Sequence, residues 1–336
     1  MAAGRSPIHR TISSGPWQPT SARIGLPFPL AVLVKLFYTD VFVLPLPAGH
    51  RFPMEKYARL RERLRASGAF VHGDFETPEA ATTEELCRAH DAAYVARVSA
   101  GELSAAEVRR IGFPWSPGMV ERSRRSAGAT MAACRAALDT GCAVNLAGGT
   151  HHAHAAHGEG FCVFNDAAVA ARTLRAEGLL QRVAVIDLDV HQGNGTASIC
   201  ADDPAIFTFS MHGARNFPFR KASSDLDIEL PDATGDAAYL EQLAGALERV
   251  FALARPQLVI YLAGADPYHH DRLGRLALSF AGLAARDEMV LAACRQRAVP
   301  VAIAMAGGYA RDIDDTARIH CQTVLAARQM FNPLLG

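Results

Sequence analysis

The sequence predicts an α/β fold three layers deep, a mainly parallel sheet with helices on both faces. Three observations carry this. Apolar runs are continuous instead of alternating, amphipathic stretches separate them, and small polar clusters follow the runs directly.

From Phe37 onward, strand-like runs fall at Val41–Leu46, Ala143–Leu146, Val183–Asp187, Ala205–Ser210, Leu258–Leu262 and Val301–Met305. They are rich in Val, Ile, Leu and Ala without polar alternation, the pattern of strands covered on both faces. Between them lie helical stretches at Pro53–Ser67, Pro117–Asp139, Ala167–Glu177, Ala237–Ala254, Ser279–Gln296 and Ile313–Gln329. Alternation of the two implies a sheet wrapped by helices. No repeat, charge block or low-complexity linker interrupts residues 37–330, so residues 35–330 are expected to form one domain.

Residues 1–34 are unlike the rest. The first acid is Asp40, and Pro7, Pro16, Pro19, Pro27 and Pro29 crowd the segment. Three readings compete: an Arg-containing organelle presequence, a disordered tail, or translation from upstream of a natural start near Val34. The prolines break the amphipathic helix a presequence needs, which favours a poorly ordered extension without excluding targeting.

Of 336 residues, half are apolar, which excludes a disordered chain. Lys+Arg equals Asp+Glu at 34 each, against the basic surplus of nucleic-acid binders and polybasic membrane-surface proteins. No apolar run reaches the roughly 18 residues of a membrane span. Seven dispersed cysteines without a CxxC suit free thiols in a reducing, cytoplasmic compartment.

In open parallel sheets, ligands bind beyond the carboxyl ends of the strands. Five polar clusters stand at such ends: Gly148–His152, Asp187–His191, Ser210–His212, Ala263–Asp266 and Ala306–Tyr309. Asp189 and His191 are spaced i, i+2 on an extended segment and so face the same way. With Asp266 they offer three N/O ligands, the number found in catalytic zinc sites, although Fe(II) or Mn(II) suits the same donors. A buried hydrogen-bonded Asp–His pair, with Asp266 as a helix cap, is the bland alternative. His151 and His152 add acid–base capacity behind a Gly-Gly pair, and Tyr309 follows Gly307-Gly308 as a candidate oxyanion donor. His154 and His157 are expected on a solvated loop.

These residues resemble the histone deacetylase family. The resemblance rests on GGTHHAHAAHGEGFCVFND (148–166), VAVIDLDVHQGNG (183–195), FSMHG (209–213), AGADPYHHDRLGRL (263–276) and AGGY (306–309), in order over residues 36–328. HQGNG, GFPWSP (112–117) and GHRFPMEKY (49–57) look most like the class IV type and its short bacterial relatives. The resemblance implies the arginase/deacetylase-like fold, with a sheet of about eight strands, and a zinc-dependent amidohydrolase acting on acylated lysine or lysine-like amines. It implies that Asp189, His191 and Asp266 hold zinc, that His152 is the general base, and that His151, oriented by Asp187, handles the leaving amine. Tyr309 would bond the substrate carbonyl. Gly160 and Phe161, with Phe113 and Phe217 opposite, would line the channel for the lysine stem. A structural potassium ion would sit among Asp187, Asp189, His191, Ser210 and Met211, and Lys56 would stand at the foot of the pocket.

Three departures bear on function. Asn194 stands where the family often has an aspartate behind His152, the rim segment Gly112–Ser116 lacks a substrate-clamping aspartate, and no long loops are inserted. The last suggests a shallow pocket tolerant of longer acyl groups. The expected substrate is an acyl-lysine protein or peptide; the alternative is a small acylated amine such as an acetylpolyamine. A two-metal arginase-like hydrolase would need further carboxylates where Gly193 and Asn194 stand, and an inactive binding module would have lost ligands that are present here.

Overall fold

The structure, a computed structural model, describes residues 34–332. The extension expected at residues 1–34 thus lies, apart from Val34, outside the described residues. Among the described residues there are eight strands: β1 (Lys35–Phe37), β2 (Phe75–Glu76), β3 (Cys142–Asn145), β4 (Val183–Asp187), β5 (Ile206–Gly213), β6 (Leu226–Leu230), β7 (Leu258–Leu262) and β8 (Val301–Ala304). They form one sheet in the order β2-β1-β3-β8-β7-β4-β5-β6, and every pairing is parallel.

The helices are α1 (Lys56–Ala66), α2 (Thr83–Cys87), α3 (Ala92–Ala100), α4 (Ala105–Ile111), α5 (Pro117–Thr140), α6 (Asp166–Ala176), α7 (Asn194–Cys200), α8 (Asp236–Ala254), α9 (Phe280–Gln296) and α10 (Ile313–Phe331). Successive strand residues point to opposite faces, so the sheet feeds two cores. Ala184 and Ile186 pack with apolar residues of α1, α8, α9 and α10. Val183 and Val185 pack with those of α5 and α6. Each Val or Ile among them, fully withdrawn from water, contributes about 1.5–3 kcal/mol. The longest helix, α5, is bounded as its sequence dictates. Ser116 caps it by accepting from the Met119 N–H at 3.0 Å, Pro117 occupies its first turn, and Gly141 ends it.

One expected strand is corrected. Val41–Leu46 is turn and irregular chain, with Val41 and Val43 exposed. The Arg122 guanidinium holds the carbonyls of Thr39 and Phe42, and β1 takes the place beside β3 instead. β6 escapes the apolar-run criterion because it is an edge strand, Leu-Asp-Ile-Glu-Leu, buried mainly at its two ends.

The sheet order places the site. Asp187 is in register with Leu262 and Ser210, Leu262 with Ala304, and Ala304 with Asn145. Five strands therefore end on one edge, where the expected polar clusters begin.

Candidate active site

Asp189, His191 and Asp266 meet at this edge. One ligand atom from each lies within 4.8 Å of the others, and all three residues are buried. The loops after β8 and β4 fix both carboxylates through the backbone: Gly307 N–H donates to Asp189 Oδ2 at 2.7 Å and Val190 N–H to Asp266 Oδ1 at 2.9 Å. His191 Nδ1 stands 3.0 Å from Asp189 Oδ1 and 3.2 Å from Asp266 Oδ2. Only glycine fits at 307, because a Cβ there would come within 2.0 Å of Asp266 Oδ2.

The electrostatics of the cluster suit a bound positive charge. Burial, reinforced by Asp189, raises the Asp266 carboxyl to about 7. Burial opposes charge on His191, yet the adjoining Asp189 and Asp266 carboxylates hold its pKa at about 10. Asp266 Oδ2 is buried without a hydrogen-bond partner. Two carboxylates and an imidazole converging around an orphaned oxygen fit a divalent cation, which would displace the imidazole proton.

Two histidines overlook the cluster. His151 Nδ1 donates to Asp187 Oδ2 at 2.6 Å, and the His152 ring pairs through Nδ1 with Asn194 Oδ1 at 2.7 Å. Burial disfavours charge on both, but Asp187 and Asp189 outweigh it at His151 and lift that ring to about 9. His152 has no such partner. Burial, then repulsion from His151 and His191, holds it well below its ordinary value. Tyr309 is buried, which keeps its hydroxyl protonated, and its N–H donates to Asp271 Oδ2 at 2.6 Å.

A cavity of about 680 Å³ joins these groups to the surface, with Gly160, Phe161 and Phe217 on its wall. Phe161 holds a left-handed backbone, φ 66°, and Gly160 one of 57°; a side chain at 160 would strike the His152 ring. Phe113 does not line the cavity. It packs behind Phe52 and Phe161, at ring distances of 4.9 and 5.3 Å, and Phe52 takes the wall position. Lys56 stands at the foot, buried, with Nζ donating to the carbonyls of Ala306 and Gly308. A cavity reaching so buried a residue is deep, contrary to the shallow pocket expected from short loops. Asp187 and Ser210 are register partners and Met211 follows, so the five residues expected around a monovalent cation are neighbours.

His154 is another correction. It is half-buried, its Nε2 accepting from Asn194 Nδ2 at 3.0 Å, and Glu159 Oε1 accepts from the same nitrogen at 2.7 Å. Sequence reasoning also missed three anchors. Asp166 accepts from the N–H groups of Gly149 and Thr150, fixing the loop before His151. Asp271 holds Tyr309. Arg286, fully buried, donates to the carbonyls of Gly264 (2.6 Å) and Leu188 (3.3 Å), next to the metal-ligand candidates.

Among the described residues, no helix is long and apolar enough to cross a membrane. The seven cysteines are free.

Comparison with known proteins matches these features. An uncharacterized protein of Picosynechococcus sp. is 43% identical over 294 residues, covering 88% of this chain and 98% of that one. A histone deacetylase-like amidohydrolase of Pseudomonas aeruginosa is 31% identical, over 79% of this chain and 74% of its own. Histone deacetylase 2 of Arabidopsis thaliana is 30% identical, over 82% and 74%. The crystal structure of an HDAC homolog complexed with SAHA has the same fold, with a TM-score of 0.76 at 24% identity, covering 90% of this chain and 85% of that one. Residues 50–326 match the histone deacetylase domain. The chain belongs to the histone deacetylase family, whose members are hydrolytic deacetylases.

Proposed function

We propose that this chain is a metal-dependent deacylase that removes acyl groups from the ε-amine of lysine. The observation that carries the reading is the pairing of two differently tuned histidines, His151–Asp187 and His152–Asn194, above the Asp189–His191–Asp266 cluster in one cavity. Asp189, His191 and Asp266 would hold the ion, zinc by preference with Fe(II) or Mn(II) as alternatives, and the oxygens around Asp187, Ser210 and Met211 a potassium ion. Such a divalent ion supplies a Lewis acid and brings the pKa of a water to roughly 7.

The chain's own groups do the rest. Asn194 Oδ1 accepts a hydrogen bond from His152 Nδ1–H, so the opposite nitrogen is left as a base, and burial keeps the ring neutral at working pH. His151, held protonated by Asp187, has a proton to give the departing amine. The Tyr309 hydroxyl donates to the carbonyl oxygen as charge develops there. Phe161 and Phe217 enclose the aliphatic lysine stem.

Hydrolysis of an acyl-lysine peptide panel tests this reading. Turnover should vanish on chelation and return when zinc, Fe(II) or Mn(II) is added back. Turnover that survives complete chelation would overturn it.

The pH profile tests the role of His152. Its protonation disables the base, so kcat/KM falls on the acidic side, and a lowered pKa places that fall at low pH. A carboxylate at 194 would favour the charged ring and move the fall upward by about 1–3 units. Glu159, however, lies against the Asn194 amide nitrogen, so Asn194→Asp alone sets two carboxylates together. The full shift is expected in N194D/E159Q, measured as kcat/KM against pH. An acidic limb unmoved in the double variant refutes the assignment.

A further inference from the structure

The mouth of the cavity carries a charge that the reaction does not use. Five arginines line it: Arg51, Arg110, Arg215, Arg272 and Arg275, all exposed. The carboxylates on the same wall are Asp189 and Asp266, and both are buried at the floor. Arg275 pairs with Asp232 at 3.0 Å, and Arg215 reaches the same carboxylate at 3.8 Å. Among the described residues, no carboxylate lies within ion-pair distance of Arg51, Arg110 or Arg272.

These groups are attached to different walls of the channel. Arg51 stacks over Phe161 at 5.4 Å, and the Arg110 carbonyl accepts from Gly160 N–H at 3.1 Å. Arg215 precedes Asn216-Phe217, and Asn216 Oδ1 accepts from Arg275 N–H at 3.2 Å. Arg272 donates through Nε to the Tyr309 carbonyl at 3.1 Å, which leaves its two terminal nitrogens for a ligand. A guanidinium fork of that kind suits a carboxylate, which it can bind with two parallel hydrogen bonds.

We infer that the physiological substrate is an acyl-lysine set in an acidic peptide segment, with Asp or Glu on both sides of the modified residue. This rests on the deacylase reading and deepens it. A lysine side chain entering the channel leaves its backbone across the mouth, where its flanks meet arginines on either wall. The same charge repels the ammonium groups of an acetylpolyamine and the lysines and arginines of a basic tail.

Hydrolysis by the metal-loaded full chain provides the test, using one acyl-lysine with Asp/Glu, Gly/Ser or Lys/Arg flanks, and acetylspermidine beside them. Two or three exposed ion pairs together should favour the acidic over the basic peptide by about 10-fold or more in kcat/KM at 0.1 M salt. Most of that preference should disappear at 1 M, where the screening length falls from about 10 Å to about 3 Å. In R51E/R110E the acidic-to-basic ratio should drop toward or below one. Equal rates on the three peptides overturn the inference and leave the deacylase reading standing. A preference that survives both high salt and R51E/R110E, or acetylspermidine as the best substrate, overturns it too. If nothing is hydrolysed, fluorescence anisotropy of the same peptides separates the readings. Acid-selective binding that R51E/R110E abolishes keeps the rim assignment and discards deacylation; unselective binding discards both.

Discussion

Replacing His152 with alanine is expected to lower kcat on an acyl-lysine peptide by about 10²–10⁴, the range a positioned general base contributes. Bound metal should stay near one equivalent, because His152 lies outside the Asp189–His191–Asp266 cluster. The separation of the two readouts is what identifies the role. A histidine that merely filled space would lower thermal stability and rate together, whereas a base lowers the rate of a protein that still folds and still loads. Tyr309→Phe should behave in parallel, losing about 10²–10³ in kcat as a missing donor to the developing oxyanion does. Unchanged turnover in either variant, by initial rates at saturating peptide with metal content measured on the same sample, would mean that the histidine pair and the tyrosine have been misassigned.

Arg286→Ala is expected to be the most destabilising single change at the site, although Arg286 touches neither the cavity nor the ligands. Its guanidinium is fully buried, with Nε and Nη2 on Asp287 Oδ1 at 2.9 and 2.8 Å. Asp287 in turn accepts from the Tyr261 and Thr323 hydroxyls. Removing one partner of a buried ion pair strands the other, at about 3–5 kcal/mol. Urea unfolding of the metal-free protein measures that loss directly. The carbonyls of Leu188 and Gly264 lose their donor at the same time, and each lies one or two residues from a ligand candidate. Metal affinity should therefore fall about 10–100-fold, as it does when groups behind the ligands are removed. A variant as stable as the parent and with the same metal affinity would show that Arg286 does not brace these loops.

Much of this was legible in the sequence. Continuous apolar runs such as Val183–Asp187 and Leu258–Leu262 announce doubly covered strands, and polar residues immediately behind them announce a rim. The i, i+2 spacing of Asp189 and His191 needs only strand geometry. What escaped did so for physical reasons. β1 and β2 are three and two residues long, too short to show a period. Val41–Leu46 has strand composition, but β1 already holds the place beside β3, between β2 and β3. The anchors Asp166, Asp271 and Arg286 look like ordinary helix or loop charges until tertiary structure buries them. Nothing in local sequence shows that Asn194, forty residues away, turns its amide toward His154. The arginine rim is the clearest case. Its members come from four separate stretches of an electrically neutral chain, so composition conceals a local excess that the folded surface gathers.

One consequence follows from strand order. β8 is the last strand among the described residues, yet it lies near the middle of the sheet, between β3 and β7. During synthesis, the half built on β3 and the half built on β4 and β7 must wait for residues 301–304 to emerge before they can be joined edge to edge. Tyr309 arrives only five residues later. The few residues that join the two halves of the sheet therefore also carry in the candidate oxyanion donor.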